Sequence, residues 1–485
     1  MLTGDMLRDG QTEACPAGGA RTILRGSIKP LEHVRQIVSR NPKAGVPNFK
    51  PGSHHPDPYA SDKPLYTITR ANMGQYANVL TEGHKKLLQT YPTFKMNVYP
   101  TRRSAAVPQR IYDATKRIAT TAQLAPGGNG VVNAGEGIPF PIPKEGVEVF
   151  WNHVLRYRGD AISRSIGQAP VTASGSYTMV KFKDETFVAY SAPGAKSENL
   201  DNVIAYFIQE TVAPARLAGE ILLVHETLDQ SKENRRAWIY NPGQRRVRRA
   251  PDVAFDNPGT NSDNLRTSDQ FDIYNGSPQR YNWKLVGKKE MLVPYNAYKL
   301  AQPNLKYDQI LQKNHVNPDL TRYELHRVWV VDSVLKPGTS HLYKRRTLYV
   351  DEDSWQILAV DCYDSRDQLY RIQEGHVIQF YSVPTLWTAL EVVMDTSNGR
   401  YLALGLDNEE PRSRDFTIKR TTADYLTGHA GGRGVVPAHG ASSPARSGRP
   451  FGSQSAKQAP PCGRSDTLAS PSCSKAICMT TARPS

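Results

Sequence analysis

Residues 323–380 read YELHRVWVVDSVLKPGTSHLYKRRTLYVDEDSWQILAVDCYDSRDQLYRIQEGHVIQF, and their punctuation decides the fold. Pro337-Gly338 suits a type II turn between Arg327–Val334 and Leu342–Val350. Asp351-Glu352-Asp353 turns that second run into Trp355–Cys362, and Asp364–Asp367 turns again into Leu369–Phe380. Consecutive strand-length runs joined by tight turns make an antiparallel meander.

The same style extends outward on both sides. Upstream, Ala237–Tyr240 runs into Asn241-Pro242-Gly243-Gln244, with Pro and Gly placed for a type II turn. Downstream, Asn398-Gly399 joins Leu390–Met394 to Tyr401–Leu406 as a short hairpin. The expected sheet covers roughly 175–425, with the meander proper over 216–425.

Alternation then says what the sheet does with its faces. Leu325, Arg327, Trp329 and Val331 share one face, and His326, Val328 and Val330 share the other. Trp355, Ile357 and Ala359 likewise oppose Leu358 and Val360. Both faces are substantially apolar. Either the helical half of the chain buries the sheet on both sides, or its concave face lines an apolar cavity.

Residues 46–215 read as helices and loops. Glu145–Arg158 places Val147, Phe150, Trp151, Val154 and Leu155 on one helical face. Ser197–Val212 repeats the spacing with Leu200, Val203, Ile204, Phe207 and Ile208, with Ser197 as N-cap and Pro214 as terminator. Ile111, Thr115, Ile118 and Ala122 predict a third helix after Pro108.

Charge and cysteine both concentrate at the ends. The formal net charge is +15, but residues 1–50 carry +4 and 426–485 carry +6, which leaves +5 for the 375 residues between. So small an excess over so long a body argues against nucleic acid. Of the five cysteines only Cys362 lies in the body, which excludes a disulfide framework or thiolate zinc cluster there. The Gly/Ala/Ser/Pro/Arg-rich tail lacks the apolar pattern needed to offset its ordering entropy and is expected to be disordered. The first 45 residues are irregular and show no basic stretch followed by an apolar run. A shifted reading frame or a misplaced start would account for both ends. No apolar run reaches the roughly 20 residues of a membrane-spanning helix.

Candidate chemistry is sparse. Arg245-Arg246-Val247-Arg248-Arg249 follows a tight turn and reads as a solvated, charge-protected edge strand, with an anionic surface as the alternative partner. His54-His55-Pro56-Asp57 sits in a Pro-flanked loop without a third ligand at a useful spacing. His225, His326, His341 and His376 fall on separate strands and read as singly packed residues. Gly127–Gly130 is not followed by a helix and fails as a phosphate cradle. There is no nucleophile elbow, HExxH or P-loop. No catalytic, cofactor-binding or metal-binding residue is assigned, no cofactor is called, and the expectation is a non-enzyme.

Eight strings carry a resemblance: HHPDPYASDKPLYTIT (54–69), YPTFKMNVYPTRRSA (91–105), GIPFPIP (137–143), WNHVLRYRG (151–159), APARLAGEILLVHETLDQ (213–230), AWIYNPGQRRVRRAP (237–251), YELHRVWVVD (323–332) and YVDEDSWQILAVDCYD (349–364). Over 46–425 the chain resembles a large proteobacterial family of unknown function, often labelled outer-membrane lipoprotein-sorting-like and placed in the LolA/LolB-like superfamily. The resemblance implies a single α+β domain, an open, strongly curved antiparallel half-barrel with helices on its concave side. It implies a periplasmic location reached by a cleaved signal peptide, lipid or lipoprotein acyl chains as ligand, and an RND-type envelope transporter as partner. No site residue carries over from it. The functions in view are a lipid or lipoprotein carrier, a structural adaptor of an envelope transport complex, and, third, an unrecognised hydrolase.

Overall fold

The computed structural model describes residues 56–419, apart from 251, 252, 254, 412 and 413. The expectations for residues 1–45, for the tail 426–485 and for His54-His55 lie outside the described residues.

Short strands β1 (Tyr66–Ile68), β2 (Met96–Val98), β3 (Gln123–Leu124) and β4 (Val131–Val132) precede the main sheet. Three long strands follow: β5 (Ala161–Val171), β6 (Val180–Phe187) and β7 (Val203–Ala213). Then come β8 (Ile221–Thr227), β9 (Arg236–Asn241), β10 (Arg246–Arg249), β11 (Tyr281–Pro294) and β12 (Tyr323–Leu335). The chain ends its sheet with β13 (Arg345–Asp351), β14 (Ile357–Tyr363), β15 (Leu369–Phe380), β16 (Thr385–Asp395), β17 (Arg400–Leu406) and β18 (Arg414–Asp415). The helices are α1 (Glu82–Thr90), α2 (Gln109–Ile118), α3 (Gly146–Leu155) and the single turn α4 (Tyr307–Ile310).

The meander from β11 to β17 is the one read from residues 323–380. Its last strand pairs with β5, and the sheet then continues through β6, β7, β8 and β9 to β10. Every pairing is antiparallel except one parallel contact of Tyr323 with Val98. No pairing among the described residues joins β10 to β11, so the sheet is open. Two departures from expectation are informative. Ser197–Val212 is not a helix: Asp201 and Asn202 turn with φ of 47° and 57°, and β7 follows. Residues 161–213 therefore supply three central strands. Gly243 does not take the left-handed conformation of a type II turn, Arg245 does, at φ 50°. The hairpin at Asn398-Gly399 forms, with Gly399 closing a four-residue loop between the paired Asp395 and Arg400.

Both predicted amphipathic helices at 109–118 and 146–155 form. Glu148 reaches back to the backbone N–H of Glu145 at 3.1 Å, completing a cap on α3. The Thr81 hydroxyl accepts from the His84 N–H at 2.9 Å and starts α1.

Register shows that α1 and α3 occupy opposite faces. Gly146 of α3 abuts Val331, which pairs with Leu348, which pairs with Val360. Gly83 of α1 abuts Asp361, the next residue along β14, which points the other way. The helices do not share one side. Packing follows the same division. Leu87 and Leu88 pack with Ile372, Met394 and Tyr401 on one face, and Phe150 and Trp151 pack with Val331, Leu348 and Val360 on the other. Val328 and Val330 join Met291, Val293 and Tyr349 in a third cluster. Residues 355–360 are thus buried on both sides, whereas in 325–331 the His326, Val328 and Val330 face is buried and the other face carries half-buried Leu325 and Trp329 beside exposed Arg327. Each fully buried apolar side chain contributes about 1.5–3 kcal/mol.

Candidate ligand-binding site

The connection from Arg249 to Tyr281 is far longer than a hairpin needs, and connections of that length in folded domains are commonly functional. It crosses the face of β7 and β8. Strand periodicity puts Phe207 and Gln209 on that face, paired with Val224 and Leu222. These four form the floor of a cleft. Gly259, Thr260, Arg266, Ser268, Phe271 and Asn275 cover it, and the cavity between them is about 40 Å³, room for a few water-sized groups.

The roof is tied down by polar contacts. Gln168 donates to the carbonyls of Thr260 and Asn261 at 3.0 and 2.8 Å. Arg235 donates to Glu226 at 2.7 Å, to the Val253 carbonyl at 3.1 Å, and to the Asn275 carbonyl. Asn275 donates to the other Glu226 oxygen at 3.0 Å. Glu226, the only carboxylate lining the cleft among the described residues, is therefore fully engaged. Further along, Asp269 pairs with Arg346 at 2.9 Å and fastens the connection to β13.

Arg266 differs from its neighbours. It is 6% exposed, lines the cleft, and has no carboxylate within 4.0 Å among the described residues. Its one hydrogen bond is a long 3.5 Å contact to the Thr267 carbonyl, and its Nε has no partner. The guanidinium lies 5.9 Å from the Phe271 ring centre. Burial pulls it down to about 10, opposed by the distant Glu391 and Asp269, so it stays charged at neutral pH. A buried, charged and unpaired donor is costly unless an anion completes it. Arg164, by contrast, is satisfied by a two-point pairing with Asp184 at 2.8 Å.

The residues weighed in the sequence are elsewhere. The arginine run is the outermost strand, with Arg246, Arg248 and Arg249 exposed, as a charge-protected edge requires. The histidines are not simply packed. His341 contacts Asp269 at 3.0 Å, His376 lies 3.4 Å from Glu374, and His326 lies 3.0 Å from Glu324. Only His225 is held by rings alone, those of Tyr206 and Trp238. Burial, with Arg236, pushes it down to about 4. The 251–280 connection went unread in the sequence; its length was the signal that would have singled it out.

The architecture is thus an open antiparallel sheet with a covered cleft on one flank. The chain belongs to the family described as protein of unknown function DUF1329, which matches residues 67–430. An uncharacterised protein of Pseudomonas aeruginosa is 51% identical over 370 residues, 76% of this chain and 81% of that one. A solved DUF1329 family protein from Desulfovibrio piger aligns with a TM-score of 0.38 at 13% identity, covering 56% of this chain and 92% of its own. A LolA superfamily protein from Nitrosomonas europaea aligns at 0.35 and 10% identity, covering 59% and 100%. Likenesses at that level carry no argument about function. No helix of the described residues is long and apolar enough to cross a membrane.

Proposed function

We propose that the protein is a non-enzymatic carrier of an amphipathic, lipid-like molecule with an anionic head, held between β7–β8 and the 255–275 connection. The observation that carries this reading is the buried, unpaired Arg266 at the wall of a cleft whose floor is Phe207, Leu222 and Val224. A carboxylate or phosphate completes the guanidinium's hydrogen bonds, a charge-assisted contact contributing about 1.5–3 kcal/mol. The apolar tail lies on the floor, at about 0.8 kcal/mol per buried methylene. The cleft as it stands admits only a few water-sized groups beside Arg266, and an acyl chain enters when the roof around 255–263 lifts. In the same reading the sheet is a curved half-barrel, the protein works in the periplasm, and it passes its ligand to an RND-type transporter. The family resemblance supports those three points.

Packing of Val328, Val330 and 355–360 as core favours a second reading, a transport-complex adaptor that holds no lipid. Titration with a fluorescent fatty acid separates the two. The carrier reading expects saturable binding that weakens at least about tenfold in Arg266→Gln, the loss of one charged contact. Displacement by a lysophospholipid then tells phosphate from carboxylate. Absence of saturable binding leaves the adaptor.

A further inference from the structure

On the face that carries Val328 and Val330, β12 also presents Glu324 and His326, two residues apart. The register places Asp351, the last residue of β13, opposite Val328. The turn after Asp351 brings Asp353 back over the same spot. One ligand-capable atom from each of His326, Asp351 and Asp353 lies within 4.8 Å of the others.

The hydrogen bonds around this triad aim it. Asp351 Oδ2 is saturated, accepting from the Tyr295 hydroxyl at 3.1 Å, the Ser354 N–H at 3.0 Å and the Ser354 hydroxyl at 2.5 Å. Its Oδ1 is buried and has no hydrogen-bond partner, although the residue is 0% exposed. That bare oxygen lies 3.9 Å from His326 Nδ1. The separation is too long for a hydrogen bond. Two tetrahedral ligands about 2.0–2.2 Å from one cation stand about 3.4 Å apart, so a shift of about half an ångström between the two side chains closes the site.

His326 is oriented for ligation. Its Nε2 lies 3.0 Å from Glu324 Oε2, so that N–H donates to a carboxylate and leaves the Nδ1 lone pair directed at Asp351. Glu324 is itself fixed by Arg322 at 2.6 Å, Asn296 at 3.0 Å and the Arg102 N–H at 2.7 Å. The Tyr295 ring stacks on the imidazole at 3.9 Å. A carboxylate behind a histidine, with a second carboxylate oxygen bare in front of it, is the outer and inner shell of a metal site. Asp353 is the outermost of the three, 14% exposed at its side chain, and both its oxygens accept from Arg103, Oδ2 from Nε at 2.7 Å and Oδ1 from Nη2. A carboxylate accommodates an arginine and a cation at once, and its partial exposure supplies an entry path.

We propose that His326 Nδ1, Asp351 Oδ1 and the Asp353 carboxylate bind one divalent cation of the zinc class, with water completing the coordination and Glu324 as the positioning residue behind the histidine. One imidazole and two carboxylates favour such a cation over Ca²⁺ or Mg²⁺, which take all-oxygen sets. The ion would clamp β12 to the β13–β14 turn, a structural role independent of the β7–β8 cleft.

The test uses the full chain stripped with a chelator and titrated with Zn²⁺ by calorimetry, with a thermal melt run in parallel. The expected result is a tight equivalent that raises the melting temperature. That equivalent is lost, or weakened at least about tenfold, in both His326→Gln and Asp353→Asn. Co²⁺ in place of zinc reports coordination through its visible absorption, which both variants should abolish. Should His326→Gln fail to fold, Asp353→Asn, at the partly exposed ligand, decides alone. Zinc that binds both variants as it binds the unmodified chain, or that leaves the melting temperature unmoved, would overturn the site and assign the 3.9 Å gap to a water molecule.

Discussion

A β-carbon on Gly259 would stand 2.8 Å from Cζ of Arg266, so the glycine backbone is the wall against which the unpaired guanidinium rests. Gly259→Ala is therefore a probe of the cleft. The obstructed atoms run from Cγ at 2.9 Å to the guanidinium, so the whole buried side chain must shift. The expected outcome is a loss of about 1–3 kcal/mol in urea-unfolding stability. Fatty-acid affinity should fall at least about fivefold, since the charged contact is misplaced. Equal affinity in the variant would separate Arg266 from ligand binding.

The opposite face holds a second crowded glycine. The Gly83 N–H donates to Asp361 Oδ1 at 3.0 Å, and a β-carbon there would meet the Ile372 side chain at 2.8 and 2.9 Å as well as that carboxylate. Leu87 and Leu88 of the same helix are fully buried, so α1 cannot shift outward without opening core. Gly83→Ala should destabilise by about 1–3 kcal/mol, the usual cost of overpacking. A urea midpoint unchanged from the unmodified protein would contradict this packing.

Asp361 sets a pH dependence. Burial pushes its carboxyl up to about 6 from 3.8, against the opposing effects of His84 and of the hydrogen bonds from Tyr349 and Gly83. A carboxyl raised in the folded state binds its proton more tightly there than in the unfolded chain. Its contribution is complete below about pH 4 and is lost as pH rises through about 6. Asp361→Asn removes that titration, and the Tyr349 hydroxyl can reverse its hydrogen bond to suit the amide. Stability of the unmodified protein relative to the variant should fall by on the order of 2 kcal/mol between pH 4 and 6, then stay level. A pH-independent difference would show that Asp361 is ionised throughout.

Much of the meander was legible because its turns are chemically explicit. Lys336-Pro337-Gly338-Thr339 closes with a 3.1 Å hydrogen bond and Gly338 at φ 78°, as a type II turn requires. Ser197–Val212 misled because a strand buried on both faces has no strict alternation, so Val203, Ile204, Phe207 and Ile208 also fit a helical stripe. The correcting signal was local: Asp201-Asn202 is a pair that tolerates the left-handed region. The cleft and the histidine–carboxylate triad were illegible for another reason. Arg266 stands out only against the strands that bury it. His326 and Asp351 are 25 residues apart in sequence and meet only through the β12–β13 register. Charge patterning sees neighbours along the chain, not across a sheet.

Asp269 and Arg346 couple the cleft to the meander. Each is 2% exposed or less, and they meet at 2.9 Å; Asp269 also takes contacts from His341 at 3.0 Å and the Thr267 hydroxyl at 2.5 Å. Arg346 leaves Nε and Nη1 without hydrogen bonds and rests instead against the rings of Tyr274, Tyr281 and Tyr343, at 4.1, 4.7 and 5.5 Å. Those faces attract the cation but cannot replace its one carboxylate. Removing the acid alone should therefore be worse than removing both charges. Asp269→Asn is expected to cost about 3–5 kcal/mol, because it strands a buried guanidinium. Asp269→Asn with Arg346→Met should recover part of that loss, since the double change leaves no buried charge and keeps the volume among the tyrosines. Asp269 belongs to the connection that roofs the cleft, so the single variant should also release fluorescent fatty acid faster than the double variant does. Urea unfolding of the four members of the cycle, with stopped-flow release on each, checks both. Strictly additive stabilities would mean that the pair does not hold the roof to β13.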